Sequence, residues 1–284
     1  MRTLGTVICL AACVSAANLL TNGGLTAQAG RDAGAADEIA RRVQDRDTGR
    51  DSKSALRMKL FDRHNRSRER ALTLWTLRGR GVAGASPGAP DGDRLLIRFT
   101  YPNDIKGTGF LVWEHADSED ERFLFLPSLG RVRRIAGTEA QESFVGSDFT
   151  YEDIGGREFD DYSYTVLDES AAWSVPGGGV RPAWRLQSRH KGGSAAFPRV
   201  VSIVLKDSFV VAQADIYNKR DEKQKIYTVR RLEQVKGIWT AMDIEMTNTL
   251  ERSRTELTID GVEYNVGLKE SDFSRRELER STAR

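Results

Sequence analysis

The sequence predicts a mainly β protein built on an antiparallel sheet or barrel. Three observations carry this expectation. From Ser52 onward, apolar residues recur with a period of two, the spacing of a half-buried strand. The alternating stretches are short, and clusters of Gly, Pro, Asn, Asp and Ser separate them as turns. Helical spacing is confined to a segment near the N-terminus and to short turns in the middle of the chain.

Residues 1–29 read as a secretory signal peptide. Arg2 is a positive n-region, Leu4 to Val14 an apolar run, and Ala27-Gln28-Ala29 a small-residue cleavage site before Gly30. Asn18, Thr21, Asn22 and Gly23-Gly24 interrupt the stretch, unlike a membrane anchor of ~20 apolar residues. Leu10-Ala11-Ala12-Cys13 also looks like a lipobox, in which case Cys13 would carry lipid and anchor the chain to a membrane. Localisation in the periplasm, or at a membrane through Cys13, follows from these two readings.

Residues 30–51 hold an expected helix, Ala36 to Asp47, with Asp37 and Glu38 in its first turn and Ile39 and Val43 one turn apart. Residues 52–284 are expected to form one domain with it. In SALRMKLFD, Leu56, Met58 and Leu60 face one way and Arg57 and Lys59 the other. Arg68 to Arg80 returns as a hairpin partner, and the Gly/Pro/Asp-rich segment 81–93 is a loop. Strands are expected at 95–99, 108–115, 122–126 and 131–136. The β rhythm fades from Gly137 to Asp161 and resumes at 161–167, 183–190, 200–205, 209–217, 225–233, 239–248 and 254–265, with Ser174 to Pro182 as a loop. The tally is roughly ten or eleven strands and two helical segments.

Composition excludes several functions. The only two cysteines, Cys9 and Cys13, lie in the signal, so the mature chain has no disulfide, thiol nucleophile or cysteine metal site. The 43 basic and 41 acidic residues are interspersed, so no broad field points to nucleic acid. His64, His115 and His190 lie far apart in sequence, with no metal-binding spacing, and no cofactor motif is present. There is no nucleophile elbow, P-loop or dinucleotide fingerprint. The carboxylates of 118–121 and Asp160-Asp161 read as charged turns, because no His, Lys or nucleophile is patterned with them. The chain is therefore not expected to be an enzyme. Arg131, Arg133 and Arg134 are either an anion contact or a charge-protected edge strand.

The apolar positions are the candidate site. Leu56, Met58, Leu60, Trp75, Ile97, Phe99, Leu111, Trp113, Phe123, Phe125, Met242, Ile244 and Met246 alternate on the expected strands. They would either fill an ordinary core or line a ligand cavity on the concave face of a curved sheet.

The segment Phe125-Leu126-Pro127-Ser128-Leu129-Gly130-Arg131-Val132-Arg133-Arg134-Ile135, with Gly146-Ser147-Asp148-Phe149-Thr150-Tyr151-Glu152-Asp153 and Asp160-Asp161-Tyr162, resembles the outer-membrane lipoprotein-sorting protein family. More narrowly, it resembles the LolA-like branch described by its likeness to a treponemal periplasmic protein. Pro102 to Gly107, Ile238-Trp239-Thr240-Ala241, Tyr264-Asn265 and Phe273-Ser274-Arg275-Arg276 with Leu278 fit the same pattern, so the resemblance covers nearly all of the mature chain. It implies a curved antiparallel LolA/LolB-type half-barrel with a few helices closing its open side. It implies a monomeric, non-catalytic periplasmic carrier that holds a lipid or lipoprotein acyl chain during transport between envelope membranes. The alternative is an accessory interaction subunit, without its own ligand, of an inner-membrane lipid transporter of the RND (resistance-nodulation-division) type. Gly137 to Gly156 is the expected lid.

Overall fold

The computed structural model describes residues 24–80, 89–115, 118–156, 159–193 and 195–280, with side chains from residue 34 onward. The expected signal therefore lies mostly outside the described residues. In chain order the elements are α1 (Gly24–Asp45), β1 (Asp51–Phe61), β2 (Ser67–Leu77), β3 (Arg94–Tyr101), β4 (Gly109–Trp113), β5 (Glu121–Leu126) and β6 (Arg131–Ile135). Then come α2 (Tyr151–Gly155), β7 (Tyr162–Asp168), β8 (Ala172–Ser174), β9 (Val180–His190), β10 (Arg199–Leu205), β11 (Val211–Tyr217), β12 (Lys223–Val235), β13 (Ile238–Asn248), β14 (Ser253–Tyr264) and α3 (Arg275–Glu279).

Among the described residues the strands form one antiparallel sheet ordered β6-β5-β4-β3-β2-β1-β14-β13-β12-β11-β10-β9-β7, with β8 beside β9. The sheet is a pair of meanders joined by β1 against β14. It stays open, because β6 and β7 end it on opposite sides. The mainly β half-barrel expected of the sequence is what the chain forms.

β1 shows why the residues choose this form. Ser52, Ser54, Leu56, Met58 and Leu60 are buried, whereas Lys53, Ala55, Arg57 and Lys59 are exposed, so the period of two puts one face on the core. Register shifts interrupt several of the strand pairings, and two of these pairings bear on the inward face. The β1–β14 register shifts between Ala55 and Leu56, leaving Asp260 as the extra residue. The β12–β13 register shifts beside Arg231, leaving Met242 unpaired opposite it. A bulge adds local twist and bends its strand, and here it also exchanges the inward and outward faces.

Two expectations about local structure change. The helix starts at Gly24 rather than at Ala36, so Asp37 and Glu38 lie mid-helix, where Glu38 receives Arg42 at 2.8 Å one turn on. The acidic pair that reads as a first turn lies instead beside the buried stripe of a longer helix. Ala36, Ile39, Ala40 and Val43 are buried against the sheet. The expected loop from Ser174 to Pro182 is a tight hairpin instead. Gly177, Gly178 and Gly179 all take positive φ there, and β8 pairs with the start of β9.

A second apolar layer covers the opposite face of β3, β4 and β5. Residues 266–280 cross that face, and Phe273 and Leu278 pack on Leu77, Leu96, Leu111, Phe123 and Phe125. Trp113 Nε1 donates to the Phe273 carbonyl at 2.6 Å. Buried Arg98 donates to the carbonyls of Glu277, Leu278 and Arg280 at the end of α3. Gly109 leaves room for this strap, because a Cβ there would lie 2.6 Å from Leu278 Cδ1.

Candidate functional site

The concave face of the sheet is a continuous apolar surface closed by two covers. One is α1. The other is a plug, residues 137–156, that folds back over the opening as short 3-10 turns leading into α2.

The plug enters the core through aromatic side chains. Phe144 and Phe149 are fully buried, and Tyr151 nearly so. The Phe144 ring centroid lies 5.4 Å from Phe110, 5.4 Å from Tyr151 and 6.0 Å from Phe99. These edge-on and tilted contacts suit the ring quadrupoles. Val145 stands between them at φ 49, a left-handed conformation that a β-branched residue rarely adopts. Buried Arg70 donates to its carbonyl and also faces the Phe99 ring. Burial holds the Arg70 guanidinium below its usual range and pushes the Tyr151 phenol up.

Polar latches fasten the plug to the sheet. Asp148 accepts from Ser253 Oγ at 2.5 Å and from Thr255 Oγ1 at 2.7 Å, and its backbone N–H donates to Thr255 Oγ1 at 3.0 Å. Lys225 Nζ donates to the Asp148 carbonyl at 2.7 Å and lies 3.9 Å from Asp153. Thr150 and Asp153 cap α2 reciprocally, each accepting the other's backbone N–H at 2.9 Å.

The expected site residues divide between the two faces. Leu56, Met58, Leu60, Ile97, Phe99, Ile244 and Met246 lie together in the concave core with the buried face of α1. Leu111, Phe123 and Phe125 lie in the second layer beneath the C-terminal strap, with Trp75 and Trp113 packed against them. Met242 is buried at its bulge and belongs to neither cluster.

A cavity of about 70 Å³ remains between the end of α1 and strands β1, β13 and β14. That is room for several waters or a few methylene groups, not for a long acyl chain. Leu74, Val211, Ala241, Ile244, Leu257 and Ile259 form its apolar wall. Arg46, Thr48, Thr240 and Tyr264 form a polar end. Of the residues expected to meet a ligand, only Ile244 lines it. Sequence reasoning missed the others, because parity reverses at the bulge and brings Trp239 and Ala241 inward. Arg46 and Thr48 sit in a connector that has no periodic signal.

The remaining candidates are dispersed. His64 lies in the exposed β1–β2 turn, and His115 lies between Asp91 at 3.4 Å and Glu121 at 3.6 Å. His190 meets the edge of the Tyr162 ring at 5.1 Å. Among the described residues no group of His, Asp or Glu could hold a metal ion. Arg131, Arg133 and Arg134 lie on edge strand β6, where Arg133 pairs with Glu139 at 3.0 Å and Arg134 reaches Glu121 at 3.9 Å. Among the described residues no helix is long and apolar enough to cross a membrane.

An open antiparallel sheet, with an apolar concave face capped by a helix and a plug, is the LolA-like fold. The expected resemblance to lipoprotein-sorting, LolA-like proteins is matched by solved structures of that fold. The chain belongs to the family whose model, described as that of an uncharacterized protein, matches residues 91–280. A domain from Vibrio parahaemolyticus named for outer membrane lipoprotein sorting is 28% identical, with a TM-score of 0.74 over 86% of this chain and 97% of that one. A DUF1329 family protein from Desulfovibrio piger is also 28% identical, with a TM-score of 0.76 over 87% and 99%. A LolA superfamily protein from Nitrosomonas europaea shares the fold at 14% identity, with a TM-score of 0.62 over 87% and 99%. No curated protein matches the sequence.

Proposed function

We propose that the protein is a periplasmic carrier, exported by the signal at residues 1–29, that shields the acyl chain of a lipid or lipoprotein between envelope membranes. The observation that carries this reading is the construction of the covers. Phe144, Phe149 and the apolar stripe of α1 fill the space that a chain would take, and a few polar contacts around Asp148 hold the plug. A chain entering that space exchanges one apolar surface for another. Each methylene withdrawn from water recovers about 0.8 kcal/mol. The small resting cavity is then a closed state, and loading requires α1 or the plug to swing outward. The carrier works as a monomer and needs no catalytic residue. The solved relative from Vibrio parahaemolyticus, named for lipoprotein sorting, supports this cargo class.

One observation favours the alternative reading, an accessory subunit of an RND-type transporter that carries no ligand. The cavity of about 70 Å³ is what a filled core would leave. Native mass spectrometry of the chain purified from the periplasm decides between the two. A lipid released on denaturation in stoichiometric amount is the expected result. A clean apo mass, unchanged after incubation with lipid vesicles, would leave the docking subunit.

A further inference from the structure

The cavity beneath the end of α1 is apolar along one wall and polar at one end, and its polar groups are not equally occupied. Thr240 Oγ1 donates to the Ile238 carbonyl at 3.0 Å and meets the Tyr264 hydroxyl at 2.8 Å, so these two hydroxyls satisfy each other. Ser52 is engaged with Thr76 at 2.7 Å. Asp47 accepts from Gly49 at 2.8 Å, and Asp51 accepts from Val266 at 2.7 Å and from Gly267 at 3.1 Å. Thr48 is different. It is 8% exposed and lines the cavity, and its Oγ1 has no hydrogen-bond partner among the described residues. A buried hydroxyl without a partner costs free energy, so its presence at a cavity wall points to an occupant that supplies one. Beside it, Arg46 lines the same cavity and donates to the Trp239 carbonyl at 3.3 Å. A guanidinium and a hydroxyl donor at the mouth of an apolar pocket are complementary to an oxyanion that carries a hydrocarbon tail.

From this geometry we infer that Arg46 and Thr48 form a head-group site for a single-chain lipid ending in an anionic oxygen group, a carboxylate or a phosphate monoester. The first carbons of its tail would run along Ala241, Ile244 and Leu257. The inference rests on the carrier reading and deepens it, because it orders the cargo by the charge of its head. Burial also pushes the Tyr264 phenol up, so the hydroxyl beside the site keeps its proton at neutral pH.

The test is a competition titration on the mature chain, with palmitate, 1-palmitoyl lysophosphatidate and uncharged 1-hexadecanol each displacing a fluorescent fatty acid. The expected result is about tenfold or greater preference for one or both anionic probes over the alcohol, the worth of a charge-assisted hydrogen bond. The preferred anion identifies the head. Arg46→Met should lower the affinity for that anion to the level of the alcohol, and Thr48→Val should lower it part of the way. Thermal melting checks that each variant is folded, and the near-isosteric Thr48→Val keeps the test decisive if Arg46→Met is not. Equal binding of charged and uncharged probes by the unaltered chain overturns the head-group site and leaves the carrier standing. No displacement by any probe overturns the carrier reading, and the site with it.

Discussion

Asp148 and Thr255 are joined in both directions: the Thr255 hydroxyl donates to the Asp148 carboxylate at 2.7 Å and accepts from the Asp148 backbone N–H at 3.0 Å. Thr255 is fully buried, so the pair is a fixed hinge-pin between the plug and β14. Asp148→Ala removes the acceptor shared by Ser253 and Thr255 and should destabilise the fold by about 1–3 kcal/mol. Hydrogen exchange at residues 144–155 should accelerate more than exchange in β1. Uniform acceleration across the sheet would mean that the latch does not govern the plug in particular.

Phe144→Ala tests the plug from its apolar side. The side chain is fully buried among Phe99, Phe110 and Tyr151, so truncation should cost about 3–5 kcal/mol and leave a void in the concave core. The variant should bind a fluorescent fatty acid more tightly than the unaltered chain when both are folded. Unchanged or weaker binding would argue that no chain enters on this side.

Gly92 tests the close approach of two backbone segments, since it lies against Glu114. A Cβ there would lie 2.3 Å from the Glu114 carbonyl oxygen, which is backbone and cannot move aside cheaply. Gly92→Ala should destabilise by about 1–3 kcal/mol or more in denaturant unfolding. Gly193→Ala points into open space and should stay within about 0.5 kcal/mol of the parent.

The turn between β1 and β2 should respond to acid. The Arg66 side chain and the backbone N–H groups of Arg66 and His64 hold the Asp62 carboxyl at about 2, below its usual value of 3.8. A depressed folded-state value favours the native state above the unfolded value and stops doing so as pH falls through the folded one. The melting difference between the parent and Asp62→Asn should therefore be constant above pH ~4 and vanish near pH ~2. A difference that persists at the acid end would place the effect elsewhere.

The alternation of Leu56, Met58 and Leu60 made β1 and its buried face legible, because that strand meets the core on one side only. β3 and β4 are buried on both faces, so Leu96 and Ile97, or Phe110 and Leu111, give no signal of which side each serves. That is why Trp75, Trp113, Phe123 and Phe125 read as one surface with Phe99 although they lie on the other. Met242 parts from Ile244 and Met246 for a different cause. Counting by two holds from Met246 to Ile244 and breaks at the bulge, and no residue in the sequence marks that break. Periodicity showed the plug as a loss of β rhythm but not its inward-facing side chains, since Phe144 and Phe149 are fixed by tertiary contacts and Val145 by a backbone shape its side chain disfavours.

The seam between β1 and β14 sets the order in which the molecule can assemble. Arg57 on one strand and Asp260 on the other are 203 residues apart in the chain, yet they form a close ion pair at 2.6 Å. The hairpins of either meander need only nearby chain. The middle of the sheet must wait for the last strand to arrive, and closing so long a loop is entropically costly. A chain emerging from a membrane N-terminus first would keep two separate, half-exposed apolar sheets until its final segment is released. That interval is when it is most exposed to aggregation and most dependent on a chaperone.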